Sequence, residues 1–210
     1  MSVNMQTDFF ALVQDRHAVK HFDPNFMLNE KEIMDMIAVA AKAPSAWNLQ
    51  HWKFLAITEP SAKEKLLPVA YGQQQIIEAS AIVAILGDLE ANRNAESVYR
   101  SAVEAGYMTE GAKSYLMEQV KAAYSNGPAA SRDDAIRNAS LAAMQLMLAA
   151  KAKGLDSCPM GGFDSEAFVA AFAVPPRFIP VLLVAIGKGT VPAHPSVRLP
   201  VEQTIAWNGF

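Results

Sequence analysis

Two apolar runs constrain the fold of this chain more than any other feature: SAIVAILG at residues 80–87 and FIPVLLVAIG at 178–187. A strand with one wet face alternates apolar and polar residues. A continuous run bounded by polar residues reads instead as a strand covered on both faces. HWKFLAIT at 51–58, closed by Glu59-Pro60, is a third strand candidate. Few strands, all covered, among several helical stretches predict an α+β domain built in three layers. There is no internal repeat and no linker, so the 210 residues read as a single domain spanning 1–210.

The helices announce themselves by period and punctuation. Thr7–Asp15 is expected to be a short helix with Phe9, Phe10, Leu12 and Val13 as its apolar stripe. Asn29 is a plausible N-cap with Glu32 as its capping-box partner. The helix behind it is expected to run to about Lys42, with Ile33, Ile37 and Ala40 or Ala41 on one face and Pro44 ending it. Further helices are expected over Ala62–Val69, Ala91–Ala105, Thr109–Tyr124 and Ala130–Lys153, the last closed by Gly154 at C′. Asn126-Gly127-Pro128 reads as a turn. Beyond Gly187 the chain changes character: Pro192, Pro195 and Pro200 predict an extended tail lying on a surface, such as that of a partner subunit.

Composition closes off several functions. Formal charge is 18 − 21 = −3, which argues against a nucleic-acid binder needing a broad cationic face. Cys158 is the single cysteine, so no intrachain disulfide can form and a reducing compartment is expected. The amino terminus lacks a basic start followed by an apolar stretch, and Ala139–Ala150 is too short to cross a bilayer. The expectation is a soluble cytoplasmic protein. The four histidines show no metal-ligand spacing, so no metal site is expected, and HExxH, GxSxG, P-loop and GxGxxG patterns are absent. Cys158 reads as a small buried hydrophobe, and Tyr99, Tyr107, Tyr115 and Tyr124 as packing residues of the middle helices.

Two stretches carry chemistry. DRHAVKHFD at 15–23 sets Arg16, His17, Lys20 and His21 close together. In an extended conformation Arg16, Ala18, Lys20 and Phe22 share one side, and Arg16 and Lys20 lie roughly 13 Å apart. That span suits a long ligand with a phosphate at one end and a polar ring at the other. Arg offers the phosphate a bidentate fork, and Lys offers a point charge. Taken alone, the stretch also fits an ordinary solvated loop. APSAWNLQHWKF at 43–54 sets Ser45, Asn48 and Gln50 among Trp47, Trp52 and Phe54. Its amides match a heterocycle with alternating C=O and N–H edges. Taken alone, it also fits a helix-to-strand turn with core aromatics.

Together these stretches resemble the nitroreductase family of flavin enzymes: R-H-A-V-K-H-F at 16–22 and P-S-A-W-N-L-Q-H-W at 44–52. EASAIVAILGD (78–88), CPMGGFD (158–164) and PSVRLP (195–200) follow in the family's order. The resemblance implies a three-layer nitroreductase-like fold with a central, mostly antiparallel sheet flanked by helices. It also implies a homodimer with an extended C-terminal tail and FMN bound at its interface. By position, Arg16 and Arg198 would hold the phosphate, with Ser196 beside Arg198, and His17 and Ala18 would line the same end. Lys20 would approach the pyrimidine edge. Pro44, Ser45, Ala46 and Asn48 would come from the other subunit. Gly72 and Gln75 fall at further flavin-contacting positions, and Gly161 and Gly162 would lie against the reactive face.

Departures from the family pattern are Ala18 for a serine, His51 for a proline, Gly161 for an acidic residue, and Gln75 and Ser196 for lysines. Fewer cations would therefore surround this flavin. The implied activity is FMN-dependent NAD(P)H oxidation, with NADPH or NADH as electron donor. The acceptors would be quinones, nitroaromatics or other conjugated molecules. The chemistry would belong to the cofactor, so no catalytic residue is assigned; Lys20 and Gly161 are candidate tuning contacts. Two other readings stay open: a reductase of one metabolite, such as an enal or an aldehyde, and a flavin-binding protein without turnover.

Overall fold

A buried strand anchors the whole arrangement. The computed structural model describes residues 9–210. Within it the 80–87 run becomes a strand, Ala81–Asp88, in which every residue is buried. In chain order the elements are α1 (Phe9–Asp15), α2 (Glu30–Ala40), β1 (Trp52–Ile57), α3 (Pro60–Val69), α4 (Gln75–Glu78) and β2 (Ala81–Asp88). They continue with α5 (Ala95–Glu104), α6 (Glu110–Tyr124), α7 (Pro128–Ala152), β3 (Asp156–Met160), α8 (Ser165–Phe172) and β4 (Phe178–Gly187). Thr7 and Asp8, the start expected for the first helix, lie outside the described residues.

The sheet has the order β1-β2-β4-β3, and each neighbouring pair is antiparallel. Alternate residues of β2 enter different cores. Ile82, Ala84 and Leu86 pack with α3, α4 and α8 on one face. Ala81, Val83 and Ile85 pack with α2 and α7 on the other. This is why the run is apolar throughout: each side chain meets a helical layer, whichever way it points. The expected three layers are thus present.

Local rules explain the element ends. Asn29 Oδ1 accepts from Glu32 N at 2.9 Å while Glu32 Oε2 accepts from Asn29 N at 2.9 Å, a complete capping box. Ile33, Met36 and Ala40 form the buried stripe of α2, with Ile37 half-buried beside it. α7 ends in a Schellman motif: Gly154 has φ +73°, its N–H bonds Lys151 O, and Leu155 N–H bonds Ala150 O. Pro180 sits in a central strand, where a proline is tolerated at a bulge; the register slips there, Ile85 pairing with Leu182 and Leu86 with Pro180. Gly87 lets α7 approach the sheet, because a Cβ there would meet Ala135 backbone and side-chain atoms at 3.1 Å.

The sequence reading set no range for three elements: α8 (Ser165–Phe172), α4 and β3. α4 is a single turn too short for a periodic signature. β3, with its interior Pro159, lacks a strand pattern and is recruited by pairing with β4. Among the described residues, no helix is long and apolar enough to cross a membrane, and no cluster of side chains could hold a metal ion.

Candidate functional site

The 16–22 segment is extended, as expected, and is tied down at both ends. Ala18 bridges Ser157 of β3 in parallel, and Val19 N donates to Ser157 O at 3.1 Å. Phe22 pairs with Gly189, and its N–H donates to Glu78 Oε2 at 3.0 Å. The expected two-sided alternation does not survive. Val19 and Phe22 are both buried although three residues apart. The two ends dock on different elements, and Phe22 is buried while Ala18 and Lys20, its expected companions on one side, are exposed. Lys20 is exposed, and Arg16 is half-buried with a Nε that is shielded from solvent and has no hydrogen-bond partner. His17 Nδ1 lies 3.2 Å from Asp15 O.

Lys20 sits at one end of a small cluster. Burial pushes the Cys158 thiol up in pKa, opposed by the nearby Lys20 ammonium and the Gln75 amide. The thiol therefore stays protonated and unreactive at neutral pH. Gln75 is buried and donates to Gln73 Oε1 at 3.1 Å. Gln73 Nε2 donates in turn to Gly162 O at 2.8 Å and to Ala70 O at 3.1 Å. Gly161 and Gly162 are exposed, and a Cβ at Gly161 would meet nothing within 4 Å. Gly72 ends α3 at φ +71°, its N–H donating to Leu67 O at 2.9 Å. The structure thus gathers Lys20, Gln75 and the glycine pair along one side of the β3 end, with Arg16 further along the same segment.

The second stretch lies elsewhere. Pro44 is exposed, and Ser45 Oγ accepts from Gln50 N at 2.9 Å. Trp47, Asn48 and Gln50 all have left-handed backbones, at φ 50°, 56° and 55°. Such conformations cost about 1 kcal/mol or more each and persist only where surroundings impose them. Three bonds do so here. Ala46 N donates to Asn138 Oδ1 at 2.9 Å, Tyr99 Oη to Trp47 O at 3.0 Å, and Asn94 Nδ2 to Leu49 O at 2.9 Å. The loop is therefore a rigid, preformed projection held by α5 and α7. No hydrogen bond or ion pair among the described residues joins it to Arg16, Lys20 or the glycine pair.

Beneath this loop lies a polar cluster that the sequence did not flag. His51 is fully buried with neither ring nitrogen partnered, and burial lowers its pKa against the opposing pull of Asp134 and Asp88. Asp88 takes a bidentate pair from Arg177 at 2.7 and 2.6 Å. Tyr124, whose hydroxyl is also buried without a partner, is pushed up to about 12, first by burial and then by Asp88 and Asp134. Tyr107 and Tyr115 are exposed.

The carboxyl-terminal tail is extended and exposed. Arg198 Nη1 donates to Ser196 Oγ at 3.0 Å and to Val197 O at 2.9 Å, within the tail itself. The apolar stripe of α1 is uncovered as well, with Phe9 60% and Phe10 73% exposed.

The donor set fits a flat, anionic ligand. The buried Arg16 Nε lacks an acceptor, which a phosphate oxygen would supply. Lys20 offers a cation, and the glycine pair leaves a backbone edge onto which a ring could close without meeting a side chain.

Comparisons with known proteins point to one family. The family model described as "Nitroreductase family" matches residues 13–188. The chain is 48% identical to the Bacillus subtilis protein named "Putative NAD(P)H nitroreductase YodC", covering 96% of this chain and 99% of that one. It is 35% identical to the "CLA biosynthesis enone reductase" of Lactiplantibacillus plantarum, covering 88% and 87%. Among solved structures, a "putative nitroreductase in complex with FMN" from Exiguobacterium sibiricum superposes with a TM-score of 0.92 at 34% identity, covering 96% and 98%.

Proposed function

The chain belongs to the nitroreductase family, and on that premise we propose that it is an FMN-dependent NAD(P)H oxidoreductase acting on quinones, nitroaromatics or similar conjugated acceptors. The observation that carries this reading is the unpartnered, buried Arg16 Nε on the same segment as Lys20, beside an open glycine pair. Bound FMN would supply the redox chemistry, taking hydride from NAD(P)H and passing electrons to an acceptor that follows the nicotinamide into the same site.

The chain's own residues bind, orient and tune. Arg16 and Arg198 grip the phosphate, with His17, Ala18 and Ser196 at that end. Lys20 faces the pyrimidine edge and favours negative charge there. Gly72 and Gln75 complete that edge. Gly161 and Gly162 present backbone to the ring's reactive face, which the absence of a Cβ permits.

Pro44, Ser45, Ala46 and Asn48 act from a second copy of the chain. Their loop is rigid, projecting, and unbonded to the Arg16–Lys20 side of its own subunit. A homodimer would also cover exposed apolar surface, such as Val197 at 95% and Trp207 at 79% exposure.

A second reading keeps the cofactor and narrows the acceptor to an α,β-unsaturated carbonyl. Gln75 and Gly161 leave the ring end poor in charge, and one relative is named an enone reductase. Anaerobic titration separates the cases. The protein should take up FMN and turn yellow, and NADPH or NADH should bleach it. Recovery of colour with a quinone or nitroaromatic supports the first reading, and recovery with an enone alone supports the second. Protein that refuses FMN defeats both.

A further inference from the structure

The geometry points to Gln73 as a positioning residue that fixes the Gly161–Gly162 segment for its contact with the ring, an inference that rests on the flavin reading above. Between Met160, paired with Leu183 in the sheet, and Asp164, whose N–H donates to Val69 O at 2.9 Å, the chain crosses exposed space. Two adjacent glycines give that crossing the greatest backbone freedom available. Packing restrains it only at Phe163, whose ring lies 5.9 Å from that of Phe168; at the glycines it does not, since a Cβ at Gly161 meets nothing within 4 Å and one at Gly162 meets only Gln73 Nε2, at 4.0 Å. One side-chain hydrogen bond is found on the crossing among the described residues, from Gln73 Nε2 to Gly162 O at 2.8 Å.

The amide that makes this bond is itself held. Its second N–H goes to Ala70 O at 3.1 Å, and its Oε1 accepts from Gln75 Nε2 at 3.1 Å. Gln75 thereby selects the amide orientation that aims nitrogen, not oxygen, at the Gly162 carbonyl. Gln75 is itself buried, on the α4 turn that leads into β2. The clasp is therefore referenced to buried structure. The role assigned to Gln73 is exerted through the glycine backbone.

The test compares wild type with Gln73→Met, which keeps length and removes the donors, and with Gln75→Met, which leaves Gln73 in place but unoriented. In flavin-free protein, hydrogen exchange over residues 160–164, read at the Asp164 N–H that bonds Val69 O, should quicken at least tenfold in Gln73→Met and less in Gln75→Met, with exchange in β2 and β4 unchanged. In FMN-loaded Gln73→Met, FMN affinity should stay within about threefold. Bleaching by saturating NADPH should slow tenfold or more, with the NADPH concentration for half-maximal rate little changed. Unchanged exchange over 160–164, or faster exchange with wild-type bleaching, overturns the inference while leaving the flavin reading intact. A general loss of protection across the sheet makes Gln73 an ordinary stabilising residue and also overturns it. Wild-type protein that takes no FMN removes the reading beneath it, whatever the exchange data show.

Discussion

Asn138 on α7 grips Ala46 across 92 positions of sequence: its Oδ1 accepts the Ala46 N–H at 2.9 Å while its Nδ2 donates to Asp134 O at 2.7 Å. The longest helix of the chain thus holds the loop that the dimer reading places against the flavin of a second copy. Asn138 is only 3% exposed, so neither bond can be replaced by bulk water.

Replacing Asn138 with Ala leaves a buried N–H unpaired, which costs about 1–3 kcal/mol. Melting of flavin-free protein should fall by several degrees, at roughly 2–4 °C per kcal/mol for a chain of this size. FMN affinity should fall too, because the 45–50 loop loses an anchor. Asn138→Asp, which keeps the acceptor, should retain more of both. Differential scanning calorimetry and flavin fluorescence titration give the two numbers, and an affinity unchanged in Asn138→Ala would detach this loop from the cofactor site.

Arg16→Met should weaken FMN by roughly ten- to a hundredfold, the worth of a charge-assisted hydrogen bond of about 1.5–3 kcal/mol. Without flavin the same variant should melt no lower than wild type, because the buried Nε has no partner to lose. A variant that binds riboflavin and FMN with the same relative preference as wild type would place the phosphate elsewhere.

Lys20→Ala should lower the reduction potential of bound flavin by tens of millivolts, since a nearby cation favours the reduced, anionic form. Phosphate binding, made by other residues, should change little. Spectroelectrochemistry of the flavin-loaded variant reads this directly, and a potential equal to wild type would remove Lys20 from the ring edge.

His51 should make the fold acid-sensitive. Burial holds its folded pKa below the ordinary 6.5, so the unfolded chain binds a proton more readily. Its contribution to stability is present above pH 6.5 and is lost as pH falls through the folded value. The carboxylates facing it, Asp88 and Asp134, oppose the shift without cancelling it. Urea midpoints should drop between pH 7.5 and pH 5, and His51→Phe should flatten that limb. An equally steep limb in the variant would assign the acid loss to carboxylates.

Much of the fold is legible in local pattern. The uninterrupted runs marked β2 and β4, Asn29 with Glu32 marked the start of α2, and Gly154 marked the end of α7. Each signal acts within a few residues of chain, where period and capping geometry operate. β3 was not legible, because nothing in Asp156–Met160 asks for a strand until β4 lies beside it. The burial of Phe22, apart from the exposed Ala18 and Lys20, came likewise from docking on two distant elements.

The sequence by itself determined the three layers, the caps at Asn29 and Gly154 and the order of the family motifs, since spacing and periodicity are properties of the chain alone. Only tertiary structure decided what each polar side chain faces. It left Arg16 Nε without a partner, aimed Gln73 at Gly162, set Asn138 under Ala46 and buried His51 within the electrostatic reach of Asp88 and Asp134. Hydrogen bonding and desolvation depend on groups brought close from far along the chain, and no local pattern encodes that distance.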